Sequence, residues 1–181
     1  MSASISPDGR PATKRLLDLN QVSAAPPMPS AKEVARTMPS ARELKDRLFT
    51  AINSHDLYDV LDCYAPNAVY VSPAGIAEGR EQIAWTYEDL CKVFPDICYT
   101  AWYKAPCEDP AFTEYTMTGT HMGPLLLPDG RVAAPTGRRI TVRGSCACAV
   151  ENGKIITDRD YYDQLELYSQ LGIRLEPPPA P

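Results

Sequence analysis

The sequence predicts an α+β domain in which helices come first, antiparallel strands follow, and the helices cover one face of a strongly curved sheet. Three observations carry this. Apolar residues recur mainly at helical spacing up to about residue 94 and at strand spacing after it. Turn signals such as Asn152-Gly153 and Pro128-Asp129-Gly130 divide the second half into short runs. The chain has 181 residues, 44% hydrophobic and 23% charged, as expected for one domain with an ample core plus tails.

The elements follow in order. Residues 1–38, rich in Ser, Ala and Pro, carry five basic and three acidic residues and are expected to form a flexible tail. Within them Ser30-Ala31-Lys32-Glu33 has the form of a capping box and could start a short helix. The domain is expected over 39–173, opening at a second box, Ser40-Ala41-Arg42-Glu43. Leu44, Leu48 and Ile52 recur every four residues with Phe49 beside them, which makes an amphipathic helix broken at Asn53-Ser54-His55-Asp56. Leu57, Val60, Leu61 and Tyr64 give a shorter one ending before Pro66, and Ala68–Ser72 reads as a strand. A third helix runs from about Arg80 to Phe94, stopped by Pro95-Asp96. Strands are expected at 97–104, 112–121, 138–150 and 154–161, the last two joined by the Asn-Gly hairpin. Asp163 caps a final helix ending at Gly172, and residues 174–181 are a proline-rich tail.

Composition excludes several functions. The net charge of −5 argues against a nucleic-acid partner, which would need a basic stripe. No run approaches the length of a membrane span, and the N-terminus lacks an apolar signal-peptide core, so a cytoplasmic location is expected. The six cysteines include no CxxC pair, and only His55 and His121 could complete a metal site. Reduced thiols packed as small hydrophobes, with no metal or cofactor, are the expectation.

The chemistry concentrates at Thr157-Asp158-Arg159-Asp160-Tyr161-Tyr162-Asp163. Strand side chains alternate faces, so Asp158 and Asp160 share one face with Ile156. An acid on an inward apolar face is costly to ionise, and a second acid nearby raises that cost. Such a carboxyl exchanges protons near neutral pH. Two readings stand: a reactive carboxyl, or acids that solvate a strand end. Asp158 either lies inward, raising the pKa of Asp160, or pairs outward with an arginine.

Eight pieces of the chain, in this order, resemble the SnoaL-like polyketide cyclases and their ester cyclase relatives. They are Ala51–Asp56, Tyr64–Tyr70, Gly79–Glu81, Phe94–Asp96, Thr118–Pro124, Pro135–Arg139, Asn152–Ile155 and Asp160–Asp163, with Gln170-Leu171-Gly172 after them. The resemblance covers about residues 42–173. It implies a cone-shaped α+β barrel of the nuclear transport factor 2 type around a deep apolar pocket, commonly in a homodimer or homotetramer. It implies a small hydrophobic, polyketide-like substrate and ring closure by intramolecular aldol condensation without metal or cofactor.

The family's acid/base carboxylate lies in an Arg-Asp-aromatic step, which here is Arg159-Asp160-Tyr161. The resemblance therefore assigns that role to Asp160. In those cyclases a histidine on the preceding strand assists, and Cys146 takes its place here; a thiol makes only weak hydrogen bonds and cannot do an imidazole's work. His121 is either a donor to a developing oxyanion or a loop histidine closing a strand end. Trp102, Tyr115, Met117 and Tyr162 are candidates for the pocket wall, and Ile52 and Thr86 fall where helices of the family touch ligand. The loop 122–137 is expected over the pocket mouth. The rival readings are a non-catalytic pocket or assembly module and an epoxide hydrolase or isomerase.

Overall fold

A computed structural model describes residues 38–175. The short helix expected at Ser30–Glu33 and nearly all of both tails lie outside the described residues. Helix α1 (Ala41–Ser54) starts where Ser40 and Glu43 satisfy each other's backbone amides, and ends at His55 in the left-handed conformation (φ 57°). Its stripe of Leu44, Leu48, Phe49 and Ile52 is buried as the four-residue spacing predicts, but Lys45 is buried with it. Asp56 caps α2 (Leu57–Cys63) by accepting from Asp59 N at 3.1 Å.

The strands β1 (Tyr64–Ser72), β2 (Gly75–Glu78), β3 (Cys98–Lys104), β4 (Ala111–Thr120), β7 (Arg139–Glu151) and β8 (Lys154–Tyr162) form one sheet in the order β2-β1-β8-β7-β4-β3. A separate two-stranded hairpin, β5 (Leu125–Leu126) with β6 (Val132–Ala133), lies in the loop between β4 and β7. Helices α3 (Gly79–Val93) and α4 (Gln164–Leu171) complete the described elements.

Three features differ from the sequence expectation. The sheet is not wholly antiparallel, because β1 runs parallel to β8; the intervening chain supplies the long crossover a parallel pair requires. β1 begins at Tyr64 rather than Ala68, passing through Pro66. Proline has no amide to give the ladder, and the register with β8 shifts between Tyr64 and Val69. The hairpins β1–β2 and β5–β6 were not expected, since runs of two to four residues are too short to show a period.

The core lies between helices and sheet, with Leu44, Leu48, Ile83, Ile97, Ile140 and Ile155 each at most 1% exposed. β4 alternates buried and half-buried residues along all ten positions, the pattern of a strand with one face inward. Its inner face and those of β7 and β8 form the floor on which the polar groups described next are mounted.

Candidate active site

Asp160 sits on the inner face of β8, 6% exposed, directly opposite Cys146 of β7. Two tyrosine hydroxyls donate to it, Tyr115 to Oδ1 at 2.6 Å and Tyr70 to Oδ2 at 3.2 Å. Burial pushes its carboxyl up to about 6. Lys45 and the two hydroxyls oppose that rise, and Asp158 adds to it. Both tyrosines are held well above their ordinary range, first by burial and then by the charge of Asp160, so they remain donors.

Tyr115 reaches Asp160 because its cross-strand neighbour is Gly144. A Cβ at that position would lie 2.5 Å from the Tyr115 Cζ and hydroxyl oxygen and 2.9 Å from the Tyr161 carbonyl oxygen. The missing side chain is the space the tyrosine ring occupies.

Asp158 lies inward on the same face, as one of the two readings has it, yet it is also paired. Its partner is not an arginine on the outside but Lys45 of α1, whose Nζ is 2.8 Å from each carboxylate oxygen. Tyr64 donates to Oδ2 at 2.9 Å, and the Tyr64 and Tyr87 hydroxyls are 2.9 Å apart. Burial opposes the charge on Lys45, but the carboxylates around it outweigh burial and hold the ammonium above its usual range. Cys146 is fully buried, its Sγ 3.7 Å from the Thr113 carbonyl oxygen, and burial pushes the thiol up to about 12. It is a neutral thiol beside Asp160.

A cavity of about 630 Å³ opens next to this cluster. Tyr70, Tyr99, Met117 and Tyr162 are on its wall, Thr86 and Leu90 of α3 face it, and Leu125, Leu126 and Leu127 of the β5–β6 hairpin close another side. The loop expected over the mouth is thus part of the wall, and Arg131 ties it to the Arg174 carbonyl oxygen at 3.0 Å. Asp160 is not on the wall itself; Tyr70 links the two.

Of the residues singled out in the sequence, Asp160, Asp158, Tyr115 and Cys146 form the buried cluster, while Met117, Thr86 and Tyr162 line the cavity. Three fall elsewhere. Trp102 is 58% exposed, because it is the extra residue where the β3–β4 register shifts between Ala101 and Tyr103. Ile52 lines a different cavity, of about 320 Å³, with Leu57, Val60, Tyr87 and Cys91. His121 is fully buried off the wall of the large cavity, its ring against Phe94 and its Nδ1 3.1 Å from Thr136 Oγ1. Nδ1 also accepts from Thr136 N at 3.3 Å, desolvation lowers the pKa of the ring, and the histidine stands at the strand end rather than on the cavity wall.

Lys45, Tyr64 and Tyr70 were missed. Lys45 left a signal, a cation one helical turn before Phe49 inside an apolar stripe; the tyrosines look like ordinary core residues in sequence. Among the described residues no three His, Cys, Asp or Glu side chains are placed to hold a metal ion, and no helix is long and apolar enough to cross a membrane.

The fold that carries this site has relatives. IdmH, a candidate polyketide cyclase from Streptomyces antibioticus, superposes with a TM-score of 0.61 at 26% identity, over 74% of this chain and 99% of that one. TsrD from Streptomyces laurentii gives 0.63 at 25% identity, over 74% and 95%. A protein with a ketosteroid isomerase-like fold from Catenulispora acidiphila gives 0.61 at 19%, over 75% and 98%, and shares the fold. No curated protein matches the sequence. The family model of SnoaL-like polyketide cyclases matches residues 42–171, most of the chain and all of the sheet that carries Asp160. The chain belongs to the SnoaL-like polyketide cyclase family.

Proposed function

We propose that the protein is an acid/base enzyme that closes a ring, or isomerises a related compound, within one bound polyketide-like molecule, with Asp160 as the base. One observation carries this reading: a carboxyl buried to a pKa of about 6 is hydrogen-bonded to a tyrosine on the wall of an apolar cavity large enough for such a substrate. At pH 7 about nine-tenths of it is carboxylate, yet its conjugate acid is strong enough to give the proton back.

Asp160 takes a proton from carbon beside a carbonyl, and the C–H electron pair becomes the enolate. The enolate carbon forms a bond to a second carbonyl carbon of the same molecule, and the resulting alkoxide recovers the proton from Asp160. The 3.2 Å bond from Tyr70, the longer of the two, is the one the substrate displaces. Tyr115, at 2.6 Å, keeps the carboxylate oriented throughout. Holding both carbonyls in one cavity supplies much of the rate, since effective molarities reach on the order of 10⁵ M or more. A carboxylate of this strength suits substrates whose enolate is delocalised, such as β-dicarbonyl aromatic polyketide esters.

Turnover of a panel of such esters by wild type and Asp160→Asn tests the proposal. A loss of roughly 10²- to 10⁴-fold is expected; full turnover by the variant refutes it. A second reading, a binding protein without catalysis, draws on the buried thiol of Cys146 and on the position of Asp160 behind the wall. It predicts tight ligand binding with no conversion by either protein.

A further inference from the structure

We propose that Lys45 is a positioning residue for the reaction: by locking Asp158 into an ion pair it leaves Asp160 as the buried aspartate that exchanges a proton. The inference rests on the reading of Asp160 as the base. Asp158 and Asp160 are two residues apart on one face of β8, about 7 Å along the strand, and both are buried. Two carboxylates on one desolvated face repel, and an unpaired pair would hold a proton between them. The structure removes that ambiguity by treating the two differently. Asp158 receives a full cation on both oxygens and a hydroxyl besides. Asp160 receives only neutral hydroxyls.

The rest of Asp160's surroundings leave the choice to Lys45. From β7 it faces the Cys146 thiol, which burial keeps neutral, and from β4 and β1 the hydroxyls of Tyr115 and Tyr70. Tyr99 of β3, Tyr87 of α3 and Tyr162 of β8 are close enough for the Asp160 charge to raise them further. Lys45 is the cation that acts on Asp160, and Asp158 the other acid. The lysine also packs the site. Its Nζ stands 5.1 Å from the centre of the Phe49 ring, which meets the Tyr115 ring edge-on at 5.6 Å and 84°. Stability alone does not call for a buried ion pair here, since apolar residues of similar volume serve as well or better.

The test follows the Asp160 carboxyl carbon by NMR titration in the full chain, assigned with Asp160→Asn. Lys45→Met removes the cation and leaves the two carboxyls to hold one proton between them, so the last deprotonation seen at the Asp160 carbon should move alkaline of the wild-type midpoint by about one pH unit or more. Asp158→Asn removes the repulsion and leaves the cation to Asp160, so the midpoint should move acidic. A purely structural lysine would not produce opposite displacements. If both midpoints stay at the wild-type value, or both move the same way, the inference is overturned. Should Lys45→Met not fold, Asp158→Asn decides alone, an unchanged or alkaline midpoint overturning it. The catalytic reading is judged separately, by turnover of Asp160→Asn.

Discussion

Replacing Asp160 by asparagine should raise the stability of the protein at neutral pH while abolishing its chemistry. The magnitude follows from the site. Burial holds the folded-state carboxyl at about 6, against an ordinary value of 3.8. The folded protein therefore binds more protons than the unfolded chain between those values, so stability falls as pH rises through that window. Integrated over the gap, ionising Asp160 in place costs about 3 kcal/mol. The loss should begin near pH 4, steepen to about 1 kcal/mol per pH unit near pH 5, and level off above about pH 6. Asparagine has no such term. Urea unfolding of both proteins from pH 4 to 8 isolates the effect, because groups that do not touch Asp160 contribute equally to both and cancel. The expected result is an advantage for Asp160→Asn that grows by about 2–3 kcal/mol across that range, whatever constant offset the amide introduces. A difference that stays flat with pH would mean that Asp160 is not a desolvated acid in the folded state, and the case for it as a base would fall with it. Against a total stability of roughly 5–15 kcal/mol, the effect is large enough to measure without ambiguity.

Other consequences of the cluster can be checked separately. Gly144→Ala places a Cβ 2.5 Å from the Tyr115 hydroxyl; it should cost about 1–3 kcal/mol by overpacking and push the Tyr115 donor away from Asp160, which calorimetry and the Asp160 titration would show together. Tyr115→Phe removes the 2.6 Å bond that favours the carboxylate, so the Asp160 midpoint and the acid limb of any pH–rate profile should move alkaline; an unchanged limb would mean the hydroxyl does not serve the charged form. Lys45→Met leaves Asp158 buried without its cation and should cost about 3–5 kcal/mol, most of which the double variant Lys45→Met/Asp158→Leu should restore in urea unfolding.

What could be seen in the sequence depended on range. Helices α1, α3 and α4 and the β7–β8 hairpin were legible because caps, four-residue spacing and an Asn-Gly turn are written within a few residues of where they act. The shared face of Asp158 and Asp160 was legible for the same reason. The partner of Asp158 was not: Lys45 lies 113 residues away, and only the packing of α1 on the sheet brings the two together. Tyr70 shows the same limit, since its strand could be read but not its 3.2 Å bond to a residue 90 positions later. Trp102 and Ile52 failed through register and depth. One extra residue in β3 leaves Trp102 in solvent, and Ile52 lines the smaller cavity beside Tyr87 instead of the larger one.

These long-range contacts determine what kind of acid Asp160 is. Its strand neighbour across β7 is a thiol, which offers neither charge nor a strong hydrogen bond, so nothing on that side fixes the carboxylate. The task passes to Tyr115, and Tyr115 can perform it only because residue 144 has no side chain. Gly144 and Tyr115 thus form one device, with the thiol filling the space beside Asp160. If that is the logic of the site, placing an imidazole there with Cys146→His should do two things. The ring would exceed the room left by a fully buried thiol, so folding should weaken, by about 1–3 kcal/mol from overpacking. In the fraction that folds, an imidazole donor against the carboxylate should draw the Asp160 midpoint down from about 6, in competition with Tyr115. The pair Cys146→His/Tyr115→Phe would then titrate below Tyr115→Phe alone. Equal midpoints in those two proteins would show that position 146 does not reach the carboxylate, and that the tyrosine holds Asp160 without standing in for a partner at that position.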